Sequence, residues 1–244
     1  MAEVVRLAVW SGPRNISTAL MRAWENRPDT VVVDEPLYAH YLAATGIDHP
    51  GAADVIGAGE TDWRRVVASL LAPPPAGAAV AYQKHMAHHL LPEIDHAWIG
   101  ALTNVLLIRD PREVVASYTR TRATVTPDDI GLPQQVRLYD ELGATGTPPP
   151  VIDAGDFLRH PERHLRALCD HVGVAFTDRM LSWPPGPRPT DGRWAPYWYD
   201  AVWRSTGFER PRPRAVHLEG PAAEVAEVCL PLYRWLHAGR WDLG

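Results

Sequence analysis

VVRLAVWSGPRNISTAL, residues 4–20, joins two periodicities in one stretch. Its first seven residues form an apolar, β-branched run closed by Ser11, Gly12 and Pro13, the composition of a buried parallel strand ending in a tight turn. Ile16, Ala19, Leu20, Ala23 and Trp24 then recur at helical spacing, which predicts a helix from about Asn15 that stops before Pro28. Further along, residues 30–33, 79–83, 104–108 and 151–153 read as strands. Helices are expected over 37–44, over 62–71, after Pro111, and through Leu165, Leu168, Cys169 and Val172 to a stop at Gly173. A last helix carries Val225, Val228, Leu232 and Trp235 on one face and should kink at Pro231. Alternating strands and helices imply an α/β fold, a mainly parallel sheet covered by helices on both faces, with ligands outside the carboxyl ends of the strands.

Composition narrows the function classes. The 244 residues, 46% hydrophobic and 22% charged, suit one compact domain spanning 1–244. No apolar run approaches the roughly 18 residues of a membrane helix, and the first strand lacks a cleavage site, so a soluble cytoplasmic protein without a membrane partner is expected. Cys169 and Cys229 have no CxxC spacing, which excludes a disulfide framework and a zinc ribbon. A net charge of -5 argues against nucleic acid as partner, so any anionic ligand must be caught by a local site. Lys84 is the single lysine among 24 basic residues, a singularity that draws attention to it.

Two segments carry anion chemistry. Between the first strand and helix, SGPRNISTAL combines backbone N–H groups at a helix start with Gly12, Pro13, Arg14, Asn15 and the hydroxyls of Ser17 and Thr18. Counted from Gly12, a Walker A loop would need glycine and lysine where Ser17 and Thr18 stand, so a nucleoside-triphosphate loop fails by spacing. The plain alternative is a capped helix after a tight turn. In LLIRDPREVVASY, Arg109 ends a strand and Ser117 follows about two helical turns on, so that one unit presents a guanidinium and a hydroxyl to a second anion. A strand-end arginine paired with an aspartate is the alternative there. The HxxHH spacing of His85, His88 and His89 lacks a matching carboxylate or cysteine set, and no metal is expected.

Together the two segments resemble the sulfotransferase family, as a divergent bacterial-type member with a P-loop-like fold. Arg14 to Thr18 align with the family's RSGTT, with Ile16 in place of the central glycine, and Arg109 and Ser117 align with its arginine–serine pair. DAGDFLRHPERHLRALCDHVGVAF, residues 153–176, is similar to a late strand-and-helix segment of the family. The resemblance implies 3′-phosphoadenosine 5′-phosphosulfate as donor, its 5′-phosphosulfate on the first loop and its 3′-phosphate on Arg109 and Ser117. It further implies a sulfuryl group passed to a hydroxyl or amine of a small molecule, 3′,5′-adenosine bisphosphate as product, and no metal.

The family's C-terminal glycine-rich loop has no counterpart. Instead residues 183–214 form an aromatic, proline-rich lid or cap with Trp183, Trp194, Trp198 and Trp203, expected to stack on adenine or line the acceptor pocket with Arg204 or Arg193 near the 3′-phosphate; plain core or a subunit interface is the alternative. Three residues compete to be the base: Glu35, placed as the catalytic glutamate of several relatives; His85, similar to the KTH histidine of others but one position early; and Asp34. Arg14, helped by Lys84, is expected to neutralise charge on the leaving oxygen. A homo-oligomer is compatible with the sequence. A catalytically silent nucleotide-binding or regulatory protein, and a kinase-like phosphoryl transferase on the same scaffold, remain the competing functions.

Overall fold

A computed structural model of the chain describes residues 4–122, 124–211 and 216–243. Five strands, β1 (Val5–Ser11), β2 (Thr30–Asp34), β3 (Val80–Met86), β4 (Thr103–Ile108) and β5 (Val151–Asp153), form one sheet in the order β2-β3-β1-β4-β5. All pairs are parallel, so every carboxyl end lies on one edge. The chain runs to one side of β1 for β2 and β3 and to the other for β4 and β5, which makes the edge beside β1 the switch point where such sheets bind ligands.

Helices α1 (Ser17–Glu25), α2 (Tyr38–Thr45), α3 (Ala52–Ala58), α4 (Trp63–Leu71), α5 (Pro111–Tyr118), α6 (Pro127–Ile130), α7 (Leu132–Ala144), α8 (Ala154–Arg159), α9 (Pro161–Val172), α10 (Ala195–Trp198), α11 (Asp200–Arg204) and α12 (Gly220–Ala238) cover the sheet and its edge. Strand side chains alternate between faces, which sorts the core into two layers. Ala8, Trp10, Leu106 and Ile108 pack against Val114 and Val115 of α5, Leu138 of α7 and Ala226 and Cys229 of α12. Leu7, Val9, Val105 and Leu107 meet Leu20 and Trp24 of α1 and Leu165 and Leu168 of α9. A smaller cluster joins Tyr38 and Leu42 to Val55, Trp194 and Tyr199, and seats the 183–211 segment on the strand edge.

The expected strands and helices are present, α3, α6 and α8 are further short helices, and two more differences bear on the site. β3 continues past Gln83 through Lys84, His85 and Met86, because β1 pairs with it to the end, Trp10 beside His85 and Ser11 beside Met86. α7 was hidden by Pro133 at its start, although its Gln135 donates 3.0 Å bonds to both the Trp10 and Leu107 carbonyls and so ties β1 to β4 where the ligand edge begins. Pro231 lies within α12. The segment expected as a lid contains α10 and α11 and an antiparallel bridge between Ser182 and Gly207; its last residues, 212–214, lie outside the described ones. Among the described residues no helix is long and apolar enough to cross a membrane.

Candidate active site

The loop after β1 is held in an unusual shape. Arg14 and Ile16 both have positive φ, 56° and 51°, a left-handed conformation strained for a β-branched residue. Ile16 therefore keeps the backbone conformation that glycine would adopt freely, and packs its half-buried side chain against the α1 layer of the core at the cavity wall. Gly12 is required for another reason: a Cβ there would lie 2.1 Å from the Ile130 carbonyl oxygen, so only glycine lets α6 approach. The Asn15 side chain donates to the Leu107 carbonyl and anchors the loop to β4.

That shape leaves the start of α1 open. No side chain caps it and no acidic residue occupies its first turn, so its N–H groups and positive end face a cavity of about 370 Å³ lined by Pro13, Arg14, Asn15, Ser17 and Thr18. Beside it three guanidiniums converge. Arg14 Nε donates to Ser117 Oγ at 3.0 Å and Arg120 Nη2 donates to the same oxygen at 3.1 Å. Arg109 donates to the Arg14 carbonyl at 2.8 Å and pairs with Glu113. Among the described residues, Arg14 and Arg120 have no carboxylate partner, and burial together with the charges of Arg120 and Arg109 holds the Arg14 pKa below its ordinary value. Uncompensated positive charge of this kind is what an anion relieves.

Across the cavity stands a buried ionic network. Lys84 and Asp34 are register neighbours on adjacent strands, and Lys84 Nζ donates to Asp34 Oδ1 at 2.9 Å, to Tyr199 Oη at 2.8 Å and to Glu35 Oε1. Tyr199 in turn donates to Asp34 Oδ2 at 2.7 Å, and the Trp194 indole N–H donates to Tyr199 at 3.2 Å. The Lys84 side chain is 1% exposed and Glu35 11%. Burial raises the Glu35 pKa while Lys84 opposes the rise; Asp34 and Glu35 hold Lys84 charged against its own desolvation. Glu35 sits at φ 41°, a strained turn that aims it into the cavity. Among the described residues its Oε2 has no protein partner, so one carboxylate oxygen remains free to accept a proton.

The sequence candidates separate accordingly. Pro13, Arg14, Asn15, Ser17, Thr18, Glu35, Lys84, Arg109 and Ser117 line one cavity, and Gly12 shapes it. His85 does not belong to it. Side chains alternate along β3, so with Lys84 on the cavity side His85 points to the opposite layer, stacked on Trp10 at 4.1 Å, bonded to Gln83, with its pKa driven down by burial to about 3. Arg204 is likewise removed: its side chain is 70% exposed and pairs with Asp200 one turn away. Lys84 is not positioned as a helper at the leaving oxygen, because its three N–H donors are spent on Asp34, Glu35 and Tyr199. The aromatic segment divides: Trp183 and Trp194 are core, whereas Trp198, Tyr199 and Phe208 wall the cavity. Arg120, Tyr38 and His49 were not singled out from sequence as site residues; His88 was weighed only as a metal ligand, and Tyr199 lies in the aromatic segment expected to line the site.

A model of the sulfotransferase domain family matches residues 5–239. Two proteins of Arabidopsis thaliana, branched-chain-amino-acid aminotransferase-like proteins 1 and 2, are 38% and 36% identical over 98% and 93% of this chain. The chain covers 42% and 40% of their lengths, so it spans about two-fifths of the curated relatives it matches. Among solved structures, a sulfotransferase from Alicyclobacillus acidocaldarius matches with TM-score 0.53 at 15% identity, covering 98% of this chain and 96% of that one. The sulfotransferase domain of the Synechococcus PCC 7002 olefin synthase matches with TM-score 0.50 at 17% identity, covering 100% and 98%. At such identities the structures speak for the shared fold, and with the family match over nearly the whole chain they lead to one statement: this chain belongs to the sulfotransferase domain family.

Proposed function

We propose that the protein is a sulfotransferase that moves a sulfuryl group from 3′-phosphoadenosine 5′-phosphosulfate to a hydroxyl or amine of a small molecule. One observation carries the reading: a single cavity is lined by two anion-binding features, the open start of α1 and the Arg14–Ser117 pair, to which exposed Arg120 also bonds, opposite a carboxylate with a free oxygen. The donor set fits such a nucleotide, with two anionic groups to satisfy and no lysine of the Walker type. When bound, the nucleotide supplies an activated sulfuryl group on a good phosphate leaving group.

The residues divide the remaining work. The N–H groups of α1 with the Ser17 and Thr18 hydroxyls would hold the 5′ end; Arg109, Ser117 and Arg120 would hold the 3′-phosphate. Arg14, whose Nη groups have no protein partner among the described residues, would neutralise charge developing on the leaving oxygen. Removing one such preorganised donor typically costs about a hundredfold or more in rate, on the order of 3 kcal/mol. Glu35 Oε2 would take the proton of the acceptor as its oxygen or nitrogen bonds to sulfur and the sulfur–oxygen bond to phosphate breaks. Lys84 opposes the rise in pKa that burial imposes on that carboxylate and holds it in place, and Tyr199 and Trp194 exclude water behind it.

The test is incubation with the phosphosulfate donor and a panel of phenols, alcohols and amines, following 3′,5′-adenosine bisphosphate by chromatography. Acceptor-dependent release supports the reading. Consumption of ATP with Mg²⁺, and none of the phosphosulfate, overturns it.

A further inference from the structure

Beyond Glu35, the acceptor side of the cavity offers hydrogen-bond donors and little else. Arg122 can only donate, so its Nη1 contact with His49 Nε2 makes that nitrogen the acceptor. Burial, reinforced by the charge of Arg122, lowers the His49 pKa to about 4, so the ring is neutral and carries its single proton on Nδ1. His49 Nδ1–H therefore donates to Tyr38 Oη, 2.7 Å away. Tyr38 Oη thus accepts from His49 while its O–H has no protein acceptor among the described residues, which makes it a free donor, and Tyr38 lines the cavity. Tyr118, another cavity residue, accepts from Arg122 at 3.4 Å and is left in the same state.

His88 points the same way. It is 6% exposed, its Nδ1 is buried without a partner, and burial pushes its pKa down to about 3, so it is neutral. A buried N–H without an acceptor is the rarer and costlier orphan, which places the proton on Nε2. Nε2 has no protein partner among the described residues, and His88 lines the cavity. Asp129 and Glu35 act on these groups through their charge, yet among the described residues no carboxylate accepts a hydrogen bond from Tyr38, Tyr118 or His88: Asp129 Oδ2 is taken by the Thr126 N–H and hydroxyl, Asp128 Oδ1 by Gln134, and Arg122 has no carboxylate within ion-pair distance.

We propose that this end of the cavity binds a carboxylate, and that the acceptor is a hydroxy or amino acid whose carboxylate is held by Tyr38, Tyr118 and His88 while its hydroxyl or amine faces Glu35. The proposal rests on the sulfotransferase reading for the role of the hydroxyl, and the carboxylate itself is unchanged in the reaction. Met86, Trp198 and Phe208 give the body of the molecule an apolar wall. Arg122 and His49 are positioning residues, acting through Tyr38.

Three probe pairs test it by calorimetry on the whole chain: 4-hydroxybenzoate against 4-hydroxybenzyl alcohol, mandelate against 1-phenylethanol, and phenylalanine against phenethylamine. In at least one pair the carboxylate member should bind about tenfold to a hundredfold more tightly, the range of hydrogen bonds to a charged group. Tyr38→Phe and Arg122→Gln should each erase most of that preference and leave the affinity of the uncharged or decarboxylated partner in place. Nitrogen NMR of the His49 ring should show Nδ1 protonated and Nε2 bare in wild type, and a changed tautomer balance in Arg122→Gln, which a merely structural arginine would not produce. Equal binding within every pair, or no binding of any carboxylate, overturns the proposal. Titration of 3′,5′-adenosine bisphosphate on the same samples separates the two ideas: nucleotide binding without carboxylate preference sinks only the acceptor assignment, and the converse sinks only the donor assignment.

Discussion

Replacing Lys84 by methionine would leave Asp34 and Glu35 facing each other with their shared cation gone. In wild type the three side chains are 1%, 1% and 11% exposed, so the two carboxylates cannot turn to water without opening the strand edge. Breaking a buried pair by deleting one partner typically costs 3–5 kcal/mol, about a third of the stability of an ordinary domain. For a chain of this length each kcal/mol moves Tm by about 2–4 °C, so a drop of roughly 6–20 °C is expected at pH 7.5. The loss has a pH signature. Without Lys84 the Glu35 pKa, already raised by burial, rises further, so the folded state binds a proton more readily than the unfolded chain and the deficit shrinks as pH falls toward 5. Urea unfolding of both proteins at pH 7.5 and 5.5 measures it. A difference under about 1 kcal/mol at both pH values would refute the reasoning, because the carboxylates would then be solvated and nothing would hold Glu35 for base chemistry.

Glu35→Gln should abolish most turnover with nucleotide binding intact, and the acid limb of wild-type kcat/KM should lie above the ordinary glutamate range; His85→Asn should leave that limb in place, since His85 lies outside the cavity. His49, His85, His88 and His89 are buried neutral with depressed pKa values, so their contribution to stability is present above about pH 6.5 and falls as pH drops below it; at pH 5.5 each unfolded imidazole gains between about 1 and 2 kcal/mol from protonation, which urea unfolding at pH 7.5 and 5.5 should read as a combined loss of about 5 kcal/mol. Gly12→Ala forces a Cβ against a backbone oxygen and should lower Tm and nucleotide affinity together, whereas Gly57→Ala, with open space around it, should do neither.

Legibility followed sequence distance. β1, β4 and β5 were readable because their apolar runs need no partner to be recognised, and the loop from Gly12 to Thr18 and the Arg109–Ser117 pair were readable because each is one local unit. The polar end of β3 beyond Gln83 was not: Lys84 and His85 have no strand composition, and only pairing with β1 carries the strand to Met86. Had that end been recognised, alternation alone would have set Lys84 and His85 on opposite faces and removed the histidine as base. The rest of the site is assembled from afar. Tyr199 reaches Asp34 across 165 residues and Arg122 reaches His49 across 73, contacts that no spacing rule encodes.

The account stands most directly on its donor site, and calorimetric titration of the chain with 3′,5′-adenosine bisphosphate, 5′-AMP and ATP, each with and without Mg²⁺, tests that site. The bisphosphate should bind at least about tenfold more tightly than 5′-AMP, without dependence on Mg²⁺, and the difference should collapse in Ser117→Ala and Arg120→Ala. Equal affinity for the bisphosphate and 5′-AMP, or a preference for ATP that requires Mg²⁺, would contradict it.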